Sequence, residues 1–225
     1  MMRIGLLGTL LVDLSLDELA YAYQQEVDWS QGYRINTDAR LLLIGAQRLL
    51  VCGLINEAEL ASCAVVLGCR LGAMDSYEAF ENSLLKNQAT PLAFAHALPS
   101  MPLASVSVRH VIQGITYTLT GGIDVGLKAL QQGAAQLVAG HAEMGIVGCW
   151  ETPSRTALGI GTAPRCRLQL AVLKATDEGR PLSWFASGDV DVSTEADSVA
   201  ALSRRLTVML PKGEQSLHDA RVSLT

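Results

Sequence analysis

Charge is scarce in this sequence. Asp, Glu, Lys and Arg make up 17% of its 225 residues, against about 25% in an ordinary globular chain. Basic runs are shorter still: the longest is the pair Arg204-Arg205, and the net charge is −5. A chain with no positive stripe does not track a phosphate backbone, so nucleic-acid binding is not expected. Long hydrophobic runs are also missing. Met1–Val12 is apolar but too short to cross a bilayer, and it lacks a basic n-region and a small-residue cleavage site. The expectation is a cytoplasmic protein with no membrane partner.

The metal and disulfide patterns are absent too. Cys52, Cys63, Cys69, Cys149 and Cys166 are odd in number and follow no CxxC or zinc spacing. His96, His110, His141 and His218 form no HxxxH or HExxH pair. No metal and no other cofactor is expected. The cysteines read as buried thiols in a reducing compartment.

What is present is apolar bulk. Hydrophobic residues make up 49% of the chain, with 20 glycines besides. Such a chain buries a sizeable core. Its sparse surface charge has two readings: a large core, or an apolar face kept for an obligate partner.

The periodicity alternates between strand-like and helix-like segments. Arg3–Val12, Ala64–Gly68, Ile115–Thr120 and Met144–Gly148 read as strands. Leu16–Gln25, Asp38 to about Cys52, Ser76–Lys86 and Asp124 to Val138 read as helices. Asp38, Asp75 and Asp124 are candidate caps, and Gly53 is a stop. Gln88–Pro102 is rich in Ala, Pro and Leu and leads into an apolar helix or turn ending at His110. Arg165–Ala175 and Leu182–Val192 read as a hairpin around Asp177-Glu178-Gly179. A last helix runs to about Met209 behind Ser193 or Thr194, and the tail after Pro211 is polar. The pattern implies a layered α/β/α sheet protein.

Ser107–Ser154 is the specific stretch. It resembles the core of the condensing enzymes, the β-ketoacyl-acyl-carrier-protein synthases of thiolase fold. In that family a Gly-Pro pair and a strand lead into a Thr-Ala-Cys-Xaa-Xaa-Gly turn that opens a buried helix. Gly114 and Ile115 stand for the pair, Thr120 for the threonine, and Gly126 for the closing glycine. Gly140, Ala142 and Glu143 match the step after the helix, and Gly148 and Glu151 match the one beyond it. Upstream, Asp38–Gly53 and Ala64–Gly72 are similar to the family's first helix and to its glycine-rich strand and loop. The resemblance covers roughly Met1–Val192. It implies a thiolase-like domain over 1–192, mainly the N-terminal half of the fold with the C-terminal half largely missing. A C-terminal helix and polar tail follow over 193–225.

In that family the cysteine at the turn is activated by the helix N-terminus and takes an acyl group as a thioester. Here the turn is Thr120-Gly121-Gly122-Ile123-Asp124-Val125-Gly126, and the nucleophile position falls on Ile123. Isoleucine forms no thioester. The family's two histidines and lysine lie in its second half, and His218 sits in no matching motif. The resemblance therefore narrows to the chain length factor, the inert partner of a ketosynthase in type II polyketide synthases.

That identification implies several roles. A ketosynthase alpha subunit would be the heterodimer partner, and an acyl carrier protein would deliver acyl groups through it. The growing polyketide chain would be the ligand, with an aromatic product favoured. Phe94, Leu98 and Met101 fall where gate side chains enter the tunnel, or else pack between helices. Thr116, Tyr117 and Thr118 lie on the strand that pairs across the two-fold axis, or else on an internal strand. Trp150 belongs to the tunnel, the partner face or the core. Arg109 and His110 read as structural or interface residues. Gly159-Ile160-Gly161-Thr162 is a weak nucleotide-loop pattern.

Three alternatives stay open. One is the partner subunit of an aryl-polyene ketosynthase. Another is a stand-alone acyl-thioester hydrolase or acyltransferase using Cys63, Cys69 or Cys149. The third is a purely structural relic.

Overall fold

The computed structural model describes residues 3–27, 29, 35–159, 164–177 and 198–209. The second hairpin strand at 182–192, the 160–162 part of the glycine loop, the caps at 193 and 194, His218 and the polar tail lie outside them.

The described elements run in the order β1 (Arg3–Leu14), α1 (Leu16–Glu26), α2 (Thr37–Val51), α3 (Glu57–Ser62), β2 (Ala64–Cys69), α4 (Met74–Leu85), α5 (Pro91–His96), α6 (Met101–His110), β3 (Thr116–Thr120), α7 (Val125–Val138), β4 (Met144–Glu151), α8 (Arg155–Gly159), β5 (Cys166–Thr176) and α9 (Ser198–Met209). They build one five-stranded sheet in the order β1-β5-β4-β2-β3. β2 pairs in parallel with both β3 and β4. β5 runs antiparallel to both its neighbours, β4 and β1. A bulge between Leu6 and Gly8 interrupts the β1–β5 register. β3, at the far side, is bonded to β2 alone among the described residues.

Helices cover both faces, as the alternating pattern requires for a sheet with parallel strands. Residues of α1, α2 and α6 pack with one face of the sheet around Leu41, Leu43, Ile44, Leu49 and Trp150. Each fully buried side chain of this size stabilises the fold by about 1.5–3 kcal/mol before conformational entropy is set against it. α7 and α9 cover the other face through Leu127, Leu130, Leu137, Leu202 and Leu206. Gln169 on β5 locks α9 down: it is fully buried, donates to the carbonyl of Leu10 at 3.1 Å, and accepts the Ser203 hydroxyl at 2.6 Å. The outer side of α7 carries exposed Lys128, Gln131 and Gln132. No described helix is long and apolar enough to cross a membrane.

Two of the three expected caps are corrected. The N-cap of α2 is Asn36, which accepts the Ala39 amide at 2.9 Å. Asp38 sits inside the first turn, fully buried, and accepts Trp150 Nε1 at 2.7 Å and the Thr152 hydroxyl at 2.8 Å. Three cap-forming residues follow one another there, and the indole from β4 claims the third. Asp75 likewise lies inside α4, whose N-cap is Ala73 with no side-chain bond. Asp124 does stand at the N-cap of α7, yet it makes no cap bond and pairs with Lys128 at 2.9 Å. Gly53 ends α2 as expected, at φ +71°.

Candidate functional site

The parallel strands β2, β3 and β4 end on one side of the sheet, where open α/β sheets place their ligands. The turn into α7 lies at that edge. The Gly121 amide donates to the Cys69 carbonyl at 3.3 Å, and the Val125 amide to the Gly122 carbonyl at 3.1 Å. Ile123 is half-buried in this turn, one residue before the N-cap. The turn thus presents an aliphatic side chain, with no nucleophilic atom, just ahead of α7.

Close approach explains the glycines. A Cβ on Gly126 would lie 2.7 Å from Cys149 Sγ and 3.0 Å from Leu202 Cβ. Only glycine lets the first turn of α7 rest directly on β4 and α9. Gly148 is equally confined: a Cβ there would meet the Gln169 carbonyl oxygen.

The charges at this edge are engaged with the scaffold. Glu151 accepts the Ser198 amide at 2.8 Å and the Ser198 hydroxyl at 2.6 Å. Its Oε1 lies 3.8 Å from Arg70 Nε. Glu78 accepts the amides of Arg155 and Thr156 at 3.1 and 2.7 Å, tying α4 to α8. Burial pushes this carboxyl up, but the contacts from Thr156 and Arg155 outweigh it and hold it below its usual range.

The three cysteines considered as nucleophiles, Cys63, Cys69 and Cys149, are all buried. Burial pushes the thiols of Cys63 and Cys69 up to about 12, and the Asp38 carboxylate adds to the effect at Cys69. Cys149 is fully buried and donates to the Ser198 carbonyl at 3.3 Å. Cysteines activated for attack sit instead in exposed, electropositive surroundings. Burial, with Arg109 adding to it, pushes the His110 imidazole down. Among the described residues no group of three or more His, Cys, Asp or Glu is placed to hold a metal ion.

Beside the sheet edge lies an apolar cleft of about 350 Å³, lined by Leu71, Met74, Tyr77, Phe80, Phe94 and Leu98 among others. The structure brings Phe94 and Leu98 together on its wall, 53% and 42% exposed. Phe94 meets Phe80 edge-on at 5.6 Å. Met101 opens α6 nearby, half-buried and outside the cleft lining. Thr116, Tyr117 and Thr118 lie on β3, an edge strand rather than an internal one among the described residues: Thr116 and Tyr117 are exposed and Thr118 is half-buried. Trp150 is a core residue, with no exposed surface.

Sequence reasoning missed the Asp38–Trp150–Thr152 cluster and the short helix α5 within 88–102. The second had a signal: Thr90-Pro91 is a cap followed by proline at the first helical position, and both are realised.

The sheet order, the antiparallel fifth strand and the glycine-lined turn into α7 define a thiolase-like layered α/β/α fold, with Ile123 in the turn that opens α7. Solved structures share this fold. The ishigamide ketosynthase/chain length factor superposes with TM-score 0.62 at 17% identity, over 80% of this chain and 64% of that one. A ketosynthase in complex with its chain length factor from Xenorhabdus doucetiae gives 0.56 at 12% identity, over 76% of this chain and 79% of that one. A type II polyketide synthase acyl-carrier protein in complex with its ketosynthase bound to the hexaketide gives 0.56 at 13%, over 76% and 62%. The chain thus spans under two thirds of the first and third, and most of the second. No family model and no curated protein matches the sequence.

Proposed function

We propose that this chain is the non-catalytic, chain-length-factor-type subunit of a type II polyketide synthase. It pairs with a ketosynthase and lends an apolar wall to the tunnel that holds the growing chain. The observation that carries this reading is Ile123, a half-buried aliphatic residue at the turn where a condensing enzyme needs its nucleophile. The partner supplies that nucleophile and its acid–base groups, and receives acyl groups from the carrier protein.

Two further features support the reading. β3 offers unbonded backbone on its outer side among the described residues, so antiparallel pairing there extends one sheet across both subunits. The cleft volume of about 350 Å³ lies within the range of small-molecule pockets, about 300–1,000 Å³. A chain wedged there stops growing when Phe94 and Leu98 fill the space ahead of it.

The cysteine-enzyme reading loses support from the buried, strongly raised thiols of Cys63 and Cys69.

Co-expression with the ketosynthase encoded beside this chain, followed by size-exclusion chromatography, tests the proposal. A one-to-one complex is expected. Within it, Phe94→Ala, Leu98→Ala and Met101→Ala are expected to lengthen the product, Met101 least because it lies outside the cleft lining. A chain that purifies as a monomer and ignores the ketosynthase would sink the reading.

A further inference from the structure

The wall of the cleft that carries Phe94 is α5, and α5 is weakly held. It has six residues and none of them is buried. So short a helix is not stable by itself. Hydrophobic burial, the usual source of helix stability in a protein, is small here. Phe94 touches Phe80 edge-on while keeping half its surface in solvent. Something else must fix the position of the wall.

One side chain reaches all three elements that meet at its base. Asn36 caps α2 with its Oδ1, which accepts the Ala39 amide at 2.9 Å. Its Nδ2 donates to the Ser76 hydroxyl on α4 at 3.0 Å. The same Nδ2 donates to the carbonyl of His96, the last residue of α5, at 3.2 Å. Both donations are part-buried, where a hydrogen bond is electrostatically stronger than in water. Thr37 Oγ1 adds a longer contact to Asp75 on α4, at 3.4 Å. A carboxamide suits this place because it both accepts and donates from one planar group. Asp, Ser or Thr would cap α2 as well, but none carries an –NH₂ group in that position.

We infer that Asn36 is the positioning residue of the cleft: it ties α5 and α4 to the N-terminus of α2 and so fixes where the Phe94 and Leu98 side chains stand. The consequence for chain length rests on the function proposed above, whereas the anchoring itself does not. Asn36 touches no acyl chain. It acts by holding the wall that does.

Asn36→Ser separates the two duties of this side chain. Serine keeps the cap and leaves the two donations unmade. Ser76→Ala removes one acceptor from the other side and leaves the cap of α2 untouched. The first readout is backbone hydrogen exchange on the purified protein. Amides of 94–98 are expected to exchange about five- to thirtyfold faster in Asn36→Ser, the factor that corresponds to one or two lost hydrogen bonds, and less so in Ser76→Ala. Amides within α2 are expected to keep their rates. The second readout is the spread of product lengths from the complex with the ketosynthase, which is expected to broaden at unchanged complex yield. A merely structural loss would lower yield and leave the spread alone. Unchanged exchange over 94–98 in both variants would overturn the inference. Faster exchange with an unaltered product spread would keep Asn36 as the anchor and overturn the cleft as the surface that sets length.

Discussion

Replacing Asp38 by asparagine should make this protein less sensitive to pH. The Asp38 carboxyl is fully buried. Its Oδ1 accepts from Trp150 and Thr152, and its Oδ2 is buried with no hydrogen-bond partner among the described residues. Burial pushes its pKa from 3.8 up to about 6, against the pull of those two hydrogen bonds. The folded state therefore holds a proton that the unfolded chain releases at lower pH. For such a group the stability contribution is full below the unfolded value, is lost as pH rises through the folded value, and stays lost above it. A shift of about two units corresponds to about 3 kcal/mol, at about 1.36 kcal/mol per unit. Asparagine keeps a carbonyl for the two donors and carries no charge. Chemical unfolding followed by tryptophan fluorescence, at about pH 4.5 and about pH 7.5, gives the difference between wild type and Asp38→Asn at each pH. Taking that difference cancels the opposite trend from Glu78 and Glu18, whose carboxyls are held low. Asp38→Asn should gain on the wild type by about 1–3 kcal/mol between the two conditions. Parallel pH profiles for the two proteins would refute the assignment of a neutral-favouring site to Asp38.

Other outcomes are expected from the same geometry. Tyr117→Lys places a charge on the exposed β3 edge, a device that natural sheets use against pairing; the chain should fold and fail to form the proposed one-to-one complex with a ketosynthase on size exclusion. Of the five cysteines only Cys52 is exposed, so a thiol reagent should label one site in the native protein and all five after denaturation. Gly126→Ala forces a methyl group to within 2.7 Å of Cys149 Sγ; overpacking of this kind costs about 1–3 kcal/mol, readable as a lower denaturation midpoint.

The strands were legible because their apolar runs are short and bounded, as in Ala64–Cys69 and Met144–Glu151, which are buried almost throughout. The helix α7 was legible from its glycine turn and the buried stripe that follows. Caps were less so. Asn36, Thr37 and Asp38 all have cap chemistry, and the choice between them is made by Trp150, 112 positions away from Asp38. The anchoring of α5 was invisible for the same reason, since it joins residues 60 positions apart. Ile123 was singled out by resemblance, because a motif with one member replaced can still be aligned on the others. Resemblance drew attention to Phe94 and Leu98, whereas the cleft that they line with Tyr77 and Phe80 of α4 became visible only when the helices were assembled.

Among the described residues, the sheet's two outer strands differ in a way that bears on assembly. β1 is bent by the bulge at Leu6 and Gly8 and ends in the charged group of Asp13, Arg165 and Arg167, both features that discourage strand addition. β3 has five residues and no bulge. A subunit with two receptive borders can add neighbours without limit and grow into a fibre. A single receptive border would give it a valence of one, and the proposed association with a ketosynthase would then stop at the pair.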